Sequence, residues 1–286
     1  MAERGLILLP EFTVDLTENR LELRNIGGPS MVQAVRRYLP YWDKFDLPDN
    51  PIIALGLPSE LAVLAEQGIV RKSAIRVAGF SGNAADLWVL SQLAAWRRNE
   101  EREPGQWSLG QQAEGLWLPA QETVRTRAIE IELYQALPVP GDDVSFAEIL
   151  EFKSRRSSEL QAFRTRLDEL YLAVVSSQDI IRSKETVVAR LDQALADLHK
   201  VTGESWGRRF FSSVKVELSS PAITMGALGG VALATEFALP IAAGAALGAV
   251  AAAVKFELKP AGPVPRLPHQ LVDFAYIYHA ERELDR

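Results

Sequence analysis

Hydrophobic residues follow two different periods along the chain, and the change between them divides the sequence near residue 140. Before that point, apolar runs of strand length alternate with amphipathic stretches, which predicts a mixed α/β region. From Ser145 onward, apolar residues recur every three or four positions, which predicts helices. Two prolines and a glycine within residues 138–141 separate the two regions and indicate a domain boundary.

The region before residue 140 contains the patterns of several strands and helices. Strands are predicted at residues 6–9, 20–24, 51–55, 75–80 and 129–133, and helices at residues 29–45, 58–66 and 81–98. We expect Pro40 to kink or break the first helix, because proline lacks an amide hydrogen and clashes with the preceding turn. A loop is predicted at residues 99–120. Its tryptophans, Trp107 and Trp117, indicate either a ligand surface or, as we favour, a cover over the edge of a core.

An antiparallel helical hairpin is predicted over residues 145–203. Ser145 and Glu148 fit a capping box, in which each side chain binds the backbone amide of the other residue. The apolar seams of the two arms comprise Ile149, Phe152, Leu160, Phe163, Leu167, Leu170 and Val174, and then Val187, Leu191, Ala194, Leu198 and Val201. This spacing is that of a coiled coil. The second seam can pair with the first, with a third helix, or with a protein partner or second copy of the chain.

Residues 221–254 form the most unusual segment. Alanine and glycine dominate it, and Glu236 is its one charged residue. Glu236 and Pro240 divide it into arms of about 15 and 18 residues, somewhat less than the roughly 20 residues of a spanning helix. The glycines at helical spacings are Gly226, Gly229, Gly230, Gly244 and Gly248. The last two form a GxxxG pair, which lets two helices approach closely within a bilayer.

Three structures compete for this segment. A helical hairpin that enters a membrane explains its length, its apolarity and its glycines. A hairpin buried in a soluble protein explains the same features, because a helix that is apolar on all sides can lie at the centre of a larger core. A pair of strands is disfavoured by the abundance of alanine. We favour the membrane hairpin, because the other regions have apolar seams of their own to fill.

The flanks of this segment fit an interfacial anchor. The upstream flank combines aromatic rings with arginines at Trp206, Arg208, Arg209, Phe210 and Phe211. Aromatic rings favour the headgroup layer, and arginine contacts lipid phosphate there. Lys255 and Lys259 follow the segment, so basic residues on both sides predict that both of its ends stay in the cytoplasm. An ordinary solvated helix end explains the same composition.

The last residues are expected to return to the N-terminal sheet, because residues 271–278 alternate sufficiently to predict a strand. The predicted fold class is therefore α+β: a mixed-sheet N-terminal domain closed by a C-terminal strand, with an inserted α-helical module. The predicted domains are residues 1–140 with 265–286, the coiled helical hairpin 145–203, and the apolar Ala/Gly-rich hairpin 206–259.

Composition narrows the chemistry. The chain has 286 residues, a net charge of −6, no cysteine and three histidines. A negative charge disfavours a nucleic-acid-binding protein, because phosphate contacts need clustered lysine and arginine. The lack of cysteine excludes disulfides, cysteine-bound metals and thiol catalysis. We therefore expect no cofactor, no metal site and no nucleic acid.

Two short motifs bear on catalysis, and neither supports it. His279 and Glu281 would share one face of a strand and could bind a metal or relay a proton, but no second histidine or acidic group accompanies them. We expect His279 to be structural or solvent-exposed. Glu151 and Lys153 have the Glu-x-Lys spacing of some metal-dependent nucleases, but they fall in a predicted helix. An enzyme in the α/β domain is therefore the third interpretation of function.

Three short strings resemble an uncharacterised family of bacterial proteins of unknown function. They are Tyr41-Trp42-Asp43-Lys44, the strand predicted around Ile52, and residues 137–140 with the later residues 149–152. The resemblance covers about the first 175 residues, and the family has no assigned activity or catalytic residues to transfer. Some such proteins resemble genes near mobile-element or phage-defence loci, so the resemblance implies an effector.

These patterns together predict a cytoplasmic protein that works at the inner face of the cell membrane. Residues 6–10 are too short for the apolar core of a signal peptide, which disfavours export. The leading interpretation is a conditionally membrane-engaging hairpin, with membrane lipid as its partner. Such a protein would permeabilise the membrane, and its α/β domain would hold it in check. The alternative is a soluble protein-interaction module with a buried Ala/Gly hairpin.

Overall fold

The computed structural model describes residues 3–9, 13–15, 20–22, 28–49, 56–75, 84–110, 137, 139–202 and 268–284. The strands within these ranges are β1 (Gly5–Leu8), β2 (Thr13–Asp15), β3 (Arg20–Glu22), β4 (Lys44–Asp49), β5 (Val70–Ala74) and β6 (Trp107–Gly110). The α-helices are α1 (Gly28–Tyr38), α2 (Ala62–Glu66), α3 (Ala84–Arg102), α4 (Phe146–Arg155), α5 (Ser157–Val175), α6 (Ile180–Thr202) and α7 (Ala275–Leu284). Two 3₁₀ helices span Ser59–Leu61 and His269–Phe274.

Four strands form a parallel sheet in the order β5-β4-β1-β6. Its register places Ile7 of β1 between Asp46 of β4 and Leu109 of β6. β2 and β3 form a separate antiparallel pair. The four described strands of this sheet are thus all parallel, where a mixed sheet was predicted. All four residues of β1 are buried, as expected where helices cover both faces of a parallel sheet.

Helices lie on both faces of this sheet. Leu6, Leu8 and Phe45 join the main core, which also contains residues of α1, α2 and the helices that follow residue 145. Neighbouring residues of a strand point to opposite faces, so Ile7 points to the other side, where α3 packs against β1, β4 and β6. The protein therefore has an α/β/α arrangement, with the larger core on the side of the C-terminal helices.

Most local predictions in the sheet region hold, with shifted boundaries. α1 ends at Tyr38, so the predicted break near Pro40 is confirmed. β4 begins at Lys44, within the stretch that was predicted to be helical. Gly68 follows α2 with a φ of 74°, the left-handed conformation in which glycine commonly ends a helix. β5 precedes the strand predicted at residues 75–80, and the strands predicted at 51–55 and 129–133 lie outside the described residues.

The loop predicted from residue 99 is wrong over its first part. α3 continues to Arg102, and β6 begins at Trp107. Trp107 is fully buried, which confirms its assignment to the core rather than to a ligand surface. Trp117 lies outside the described residues.

The capping box at the start of α4 is present. The amide of Glu148 donates to the Ser145 hydroxyl at 3.2 Å, and the amide of Ser145 donates to the Glu148 carboxylate at 2.9 Å. The described seam residues are buried, apart from Ala194, which is partly buried. The C-terminal 3₁₀ helix packs against both α5 and α6. The two seams therefore meet a third segment of the same chain instead of forming an isolated pair.

The strand predicted at residues 271–278 is wrong, because these residues form the end of the 3₁₀ helix and the start of α7. Leu271, Phe274, Ile277 and Tyr278 are all buried. Their spacing of three to four residues fits a helix as well as the alternation fits a strand. The amide of Gly141 donates to the carbonyl of Leu284 at 2.9 Å. The C-terminus therefore packs on the helical side and does not close the sheet.

One hydrophobic core extends from β1 to α7. It includes Leu6 of the sheet, Phe163 of α5 and Leu284 near the end of the described chain. We use the term "frame" for the described residues that form this core and the sheet. The predicted division into domains near residues 140–145, and the separate hairpin at 206–259, stay predictions.

Gly5 allows the ring of Trp107 to lie across β1. A Cβ atom at residue 5 would stand 2.4 Å from a ring carbon of Trp107, and Lys44 and Arg71 hold that ring with cationic groups 5.0 and 4.7 Å from its centre. We predict that Gly5→Ala lowers the free energy of unfolding by about 1–3 kcal/mol, because the packed ring must shift. Denaturant unfolding measures the loss. Gly56→Ala is the control, since its new methyl would meet no atom within 4 Å, and equal losses in both variants would contradict the prediction.

Candidate functional site

A cluster of charged residues joins the sheet to the helices, and we call it the junction cluster. It comprises Arg4, Asp43, Lys153, Arg164 and Asp168. Arg4 directly precedes β1 and Asp43 directly precedes β4, so both lie at the amino end of the parallel sheet. Lys153 comes from α4, and Arg164 and Asp168 lie one turn apart on α5. The cluster therefore brings together residues that are far apart in the sequence.

Both carboxylate oxygens of Asp43 have partners. Oδ1 lies 2.7 Å from Lys153 Nζ, and Oδ2 lies 2.9 Å from Arg164 Nη1. Oδ2 also accepts the backbone amide of Arg4 at 2.9 Å. Arg4 extends the cluster through its guanidinium, which pairs with Asp168. Asp43 thus connects the sheet to α4 and α5 at once.

Three successive backbone carbonyls beside Asp43 each accept a hydrogen bond from a different helix. Tyr276 of α7 donates to the carbonyl of Pro40 at 2.6 Å. Arg164 of α5 donates to the carbonyl of Tyr41 at 2.6 and 3.1 Å. Lys153 of α4 donates to the carbonyl of Trp42. Buried carbonyls need partners, and here, just beyond the end of α1, the partners come from the C-terminal helices.

Electrostatics favours the charged form of Asp43. Burial alone would raise the pKa of Asp43, but Lys153 and Arg164 outweigh burial and hold that pKa well below its ordinary range. Burial lowers the pKa of Lys153 to about 8, although Asp43 acts in the opposite direction. Burial also raises the pKa of the Tyr276 hydroxyl. The hydroxyl therefore stays protonated and able to donate to Pro40.

This geometry makes the junction cluster a fastening rather than a catalytic centre. A general base needs a carboxylate oxygen directed at a substrate proton, and both oxygens of Asp43 are occupied by cationic or amide donors. A nucleophilic lysine needs a free amine, but Lys153 is bound to Asp43 and to the carbonyl of Trp42. The cluster holds α4, α5 and α7 against the amino end of the sheet.

A second buried acid, Asp46, performs a similar role on the opposite face of the sheet. Its Oδ2 accepts from Ser73 Oγ at 2.7 Å and from Asn99 Nδ2 at 2.8 Å. Arg71 and Arg98 lie 3.3 and 3.9 Å from the same oxygen. Because Asn99 and Arg98 belong to α3, Asp46 fastens this helix to β4 and β5.

The residues that the sequence singled out for membrane contact and helix packing lie outside the described residues. They are Trp206, Arg208, Arg209, Phe210, Phe211, Gly226, Gly229, Gly230, Glu236, Pro240, Gly244 and Gly248. Their predicted roles stay predictions. Among the helices that can be described, none combines the length and the apolarity needed to cross a bilayer.

The residues considered for catalysis are separated. His279 is buried on α7, where Glu281 would have shared its face only on a strand. Lys153 belongs to the junction cluster, whereas Glu151 is exposed and lies 3.9 Å from Arg155. The described residues contain no group of three histidine, aspartate or glutamate side chains that could hold a metal ion.

Sequence reasoning missed the junction cluster, although two features of the sequence pointed to it. Asp43 lies in the Tyr-Trp-Asp-Lys string, which was noted for its resemblance and not for its chemistry. Arg164 directly follows the seam residue Phe163 and is itself buried. A charged residue at a buried position of an amphipathic helix predicts a paired partner, because an unpaired buried charge is costly.

Comparison with known proteins gives one finding on the identity of the chain. No curated protein and no solved structure matches it. A family model, described as a family of unknown function (DUF6236), matches residues 7–285. The match confirms the resemblance to an uncharacterised family and extends it well beyond residue 175. The chain therefore belongs to the DUF6236 family.

Proposed function

We propose that the chain is a cytoplasmic bacterial protein whose residues 221–254 engage the membrane conditionally, as a permeabilising effector that the α/β part holds in check. The supporting observation is the arrangement of the elements that flank this segment. α6 ends at Thr202 and the C-terminal 3₁₀ helix begins at His269. These two elements pack against each other, and both pack against α5. The elements that come directly before and after residues 203–267 in the sequence thus belong to one group of packed elements.

Contacts within the frame fix both flanks. Leu195 and Leu198 of α6 are buried, as is Phe274 of the 3₁₀ helix. The ring of Phe274 lies 6.3 Å from that of Phe163 on α5. These contacts join described residues of the frame. Both flanks are therefore anchored by the frame's own core.

The composition of the segment supplies the second line of support. Residues 221–254 contain glycines at helical spacings and the single charge of Glu236. Small residues permit close packing of helices in lipid, where no hydrophobic drive brings helices together. A charge near the tip of a hairpin is costly at the bilayer centre unless it is protonated, paired or returned to water. Insertion is therefore proposed to depend on the state of Glu236.

Liposome flotation and dye release test the proposal. We expect the full chain to float with anionic vesicles and to release dye more strongly at mildly acidic than at neutral pH, because protonation removes the charge of Glu236. Glu236→Gln should float and release dye at neutral pH. Gly244→Leu combined with Gly248→Leu should weaken release, because the larger side chains block close helix approach.

A matched variant distinguishes blocked helix packing from the general effect of two larger side chains. Ala242→Leu with Ala246→Leu adds the same two side chains, and in a helix these positions lie away from the glycine pair. This control should therefore release dye like the parent. The proposal fails if the parent neither floats nor releases dye under any condition while the glycine variant unfolds in plain buffer. That outcome favours the soluble module with a buried hairpin.

The soluble interaction module has less support from the frame. Its predicted docking surface was the apolar seam of residues 145–203, and the described seam residues are packed within the chain's own core. Leu167 and Leu191, for example, are 2% and 1% exposed. A protein partner would need a different surface.

A further inference from the structure

The helix α7 carries a histidine enclosed by charged groups. His279 is 4% exposed, and its ring packs edge-on against that of Tyr278, with 5.2 Å between the ring centres. α7 packs against α4, α5 and the C-terminal 3₁₀ helix. The imidazole is therefore held within a contact region and not displayed at the surface.

The carboxylate beside His279 is already occupied. Glu283 lies one turn along α7, and its Oε1 is 3.7 Å from His279 Nδ1, which is too long for a hydrogen bond. Oε1 is also 2.8 Å from Arg156 Nη2, and Oε2 is 3.0 Å from Arg155 Nη2. An imidazolium at residue 279 would have to share Glu283 with two guanidinium groups.

Other carboxylates near the histidine are already paired with arginines. Glu159 of α5 pairs with Arg156 at 3.4 Å, and Glu151 of α4 lies 3.9 Å from Arg155. Arg282 of α7 donates to the Tyr278 hydroxyl at 3.1 Å. On the 3₁₀ helix, Asp273 is exposed. Glu281 of α7 is half-buried. Because Glu151, Glu159 and Glu283 are already paired with arginines, a charged imidazole would have to compete with guanidinium groups for a carboxylate.

We propose that His279 makes the docking of α7 sensitive to acid. At neutral pH the uncharged imidazole packs in the cluster. Protonation adds a buried positive charge that faces Arg156 and must share Glu283 with two arginines, so α7 and the 3₁₀ helix loosen from α4 and α5. Burial, and after it the charge of Arg156, lower the pKa of His279, which agrees with this direction.

The sign of the pH dependence follows from proton binding. A histidine whose pKa is lower in the folded than in the unfolded chain binds fewer protons when folded. Its contribution to stability is therefore retained above the unfolded pKa of about 6.5 and is lost as the pH falls through the folded value. The device thus acts on the acidic side of neutrality.

This inference adds a regulatory step, and only its consequence rests on the proposed function. The 3₁₀ helix that loosens with α7 is the element that follows residues 203–267 in the sequence. Acid would then loosen that flank and also protonate Glu236, and both changes would favour insertion. The loosening itself requires no lipid, so it is tested without vesicles.

Hydrogen exchange of the full chain in buffer, at about pH 5.5 and 7.5 and equal ionic strength, tests the inference. After correction for intrinsic exchange, we expect several-fold faster exchange of α7 at the lower pH in the parent and no such difference in His279→Gln. The α3 peptide serves as the internal reference. Equal protection of α7 at both pH values, or an equal acid effect in His279→Gln, overturns the inference.

A titration of the parent covers the case in which His279→Gln does not fold. The imidazole signal of His279 is assigned by comparison with a variant that carries His199→Gln and His269→Gln. We expect its pKa to lie below that of an unfolded histidine, and a pKa at or above that value overturns the inference. Failure here leaves the membrane proposal standing, whereas failed flotation leaves an acid-sensitive α7 standing.

Discussion

Replacing Asp43 with asparagine is expected to lower the free energy of unfolding by about 3–5 kcal/mol, the usual loss when one partner of a buried ion pair is removed. The variant keeps the shape of the side chain but leaves Lys153 and Arg164 without their shared counter-charge. Their side chains are only 13% and 7% exposed, so water cannot replace the carboxylate fully. Urea or guanidinium unfolding measures the loss.

A surface pair provides the control for Asp43→Asn. Arg166 and Glu169 lie 2.7 Å apart on α5, with side chains 40% and 58% exposed. Glu169→Gln should therefore change stability by less than about 1 kcal/mol. Equal losses in the two variants would show that the junction cluster does not fasten the frame.

The stability of the parent and that of Asp43→Asn should also depend differently on pH. A carboxyl whose pKa is lower in the folded chain stabilises the fold above its unfolded pKa, and this contribution is lost as the pH falls through the folded value. Asp43 has such a lowered pKa. The gap in stability between the parent and Asp43→Asn should thus be widest near neutrality and should narrow below about pH 4.

Replacing Phe163 with alanine is expected to cost about 3–5 kcal/mol, as large-to-small changes of buried aromatic residues do. Its ring is fully buried and lies 6.2 Å from the rings of both Tyr41 and Tyr276. Phe274 of the 3₁₀ helix packs on it from a further side. The loss combines the cavity with the contacts among three segments. Denaturant unfolding followed by circular dichroism measures it.

Leu172→Ala is the matched control for Phe163→Ala. Leu172 lies on the same helix but is 60% exposed, so its truncation should change stability by less than about 0.5 kcal/mol. If Phe163→Ala costs no more than Leu172→Ala, the rings around Phe163 are not the centre of the core, and the fixed position of the flanks loses its basis.

Local signals predicted the elements that short stretches of sequence determine. β1 follows from one apolar run, and the capping box at Ser145 follows from two residues three positions apart. The apolar pattern of residues 271–278 fits both a helix and a strand, since the spacing of Phe274 and Tyr278 suits either. Packing against α4 and α5 decided between them, and one strand-like pattern cannot contain that information.

The junction cluster could not be predicted, because it depends on contacts between distant parts of the sequence. Asp43 and Arg164 are 121 positions apart, and their contact exists only after the helices have packed on the sheet. Arg164 alone was open to prediction, as a charge on a buried helix face. Its partner was not, because several carboxylates precede it in the sequence and none is marked by spacing.

The placement of both flanks within one group of packed elements has an evolutionary consequence. The entropy of closing a loop grows only with the logarithm of its length, at about 0.6 kcal/mol for each doubling. On the proposed function, in which residues 203–267 engage the membrane, insertions or deletions between Thr202 and His269 therefore change the stability of the frame little. The frame and this segment could then diverge at different rates, so that one fold carries segments adapted to different targets.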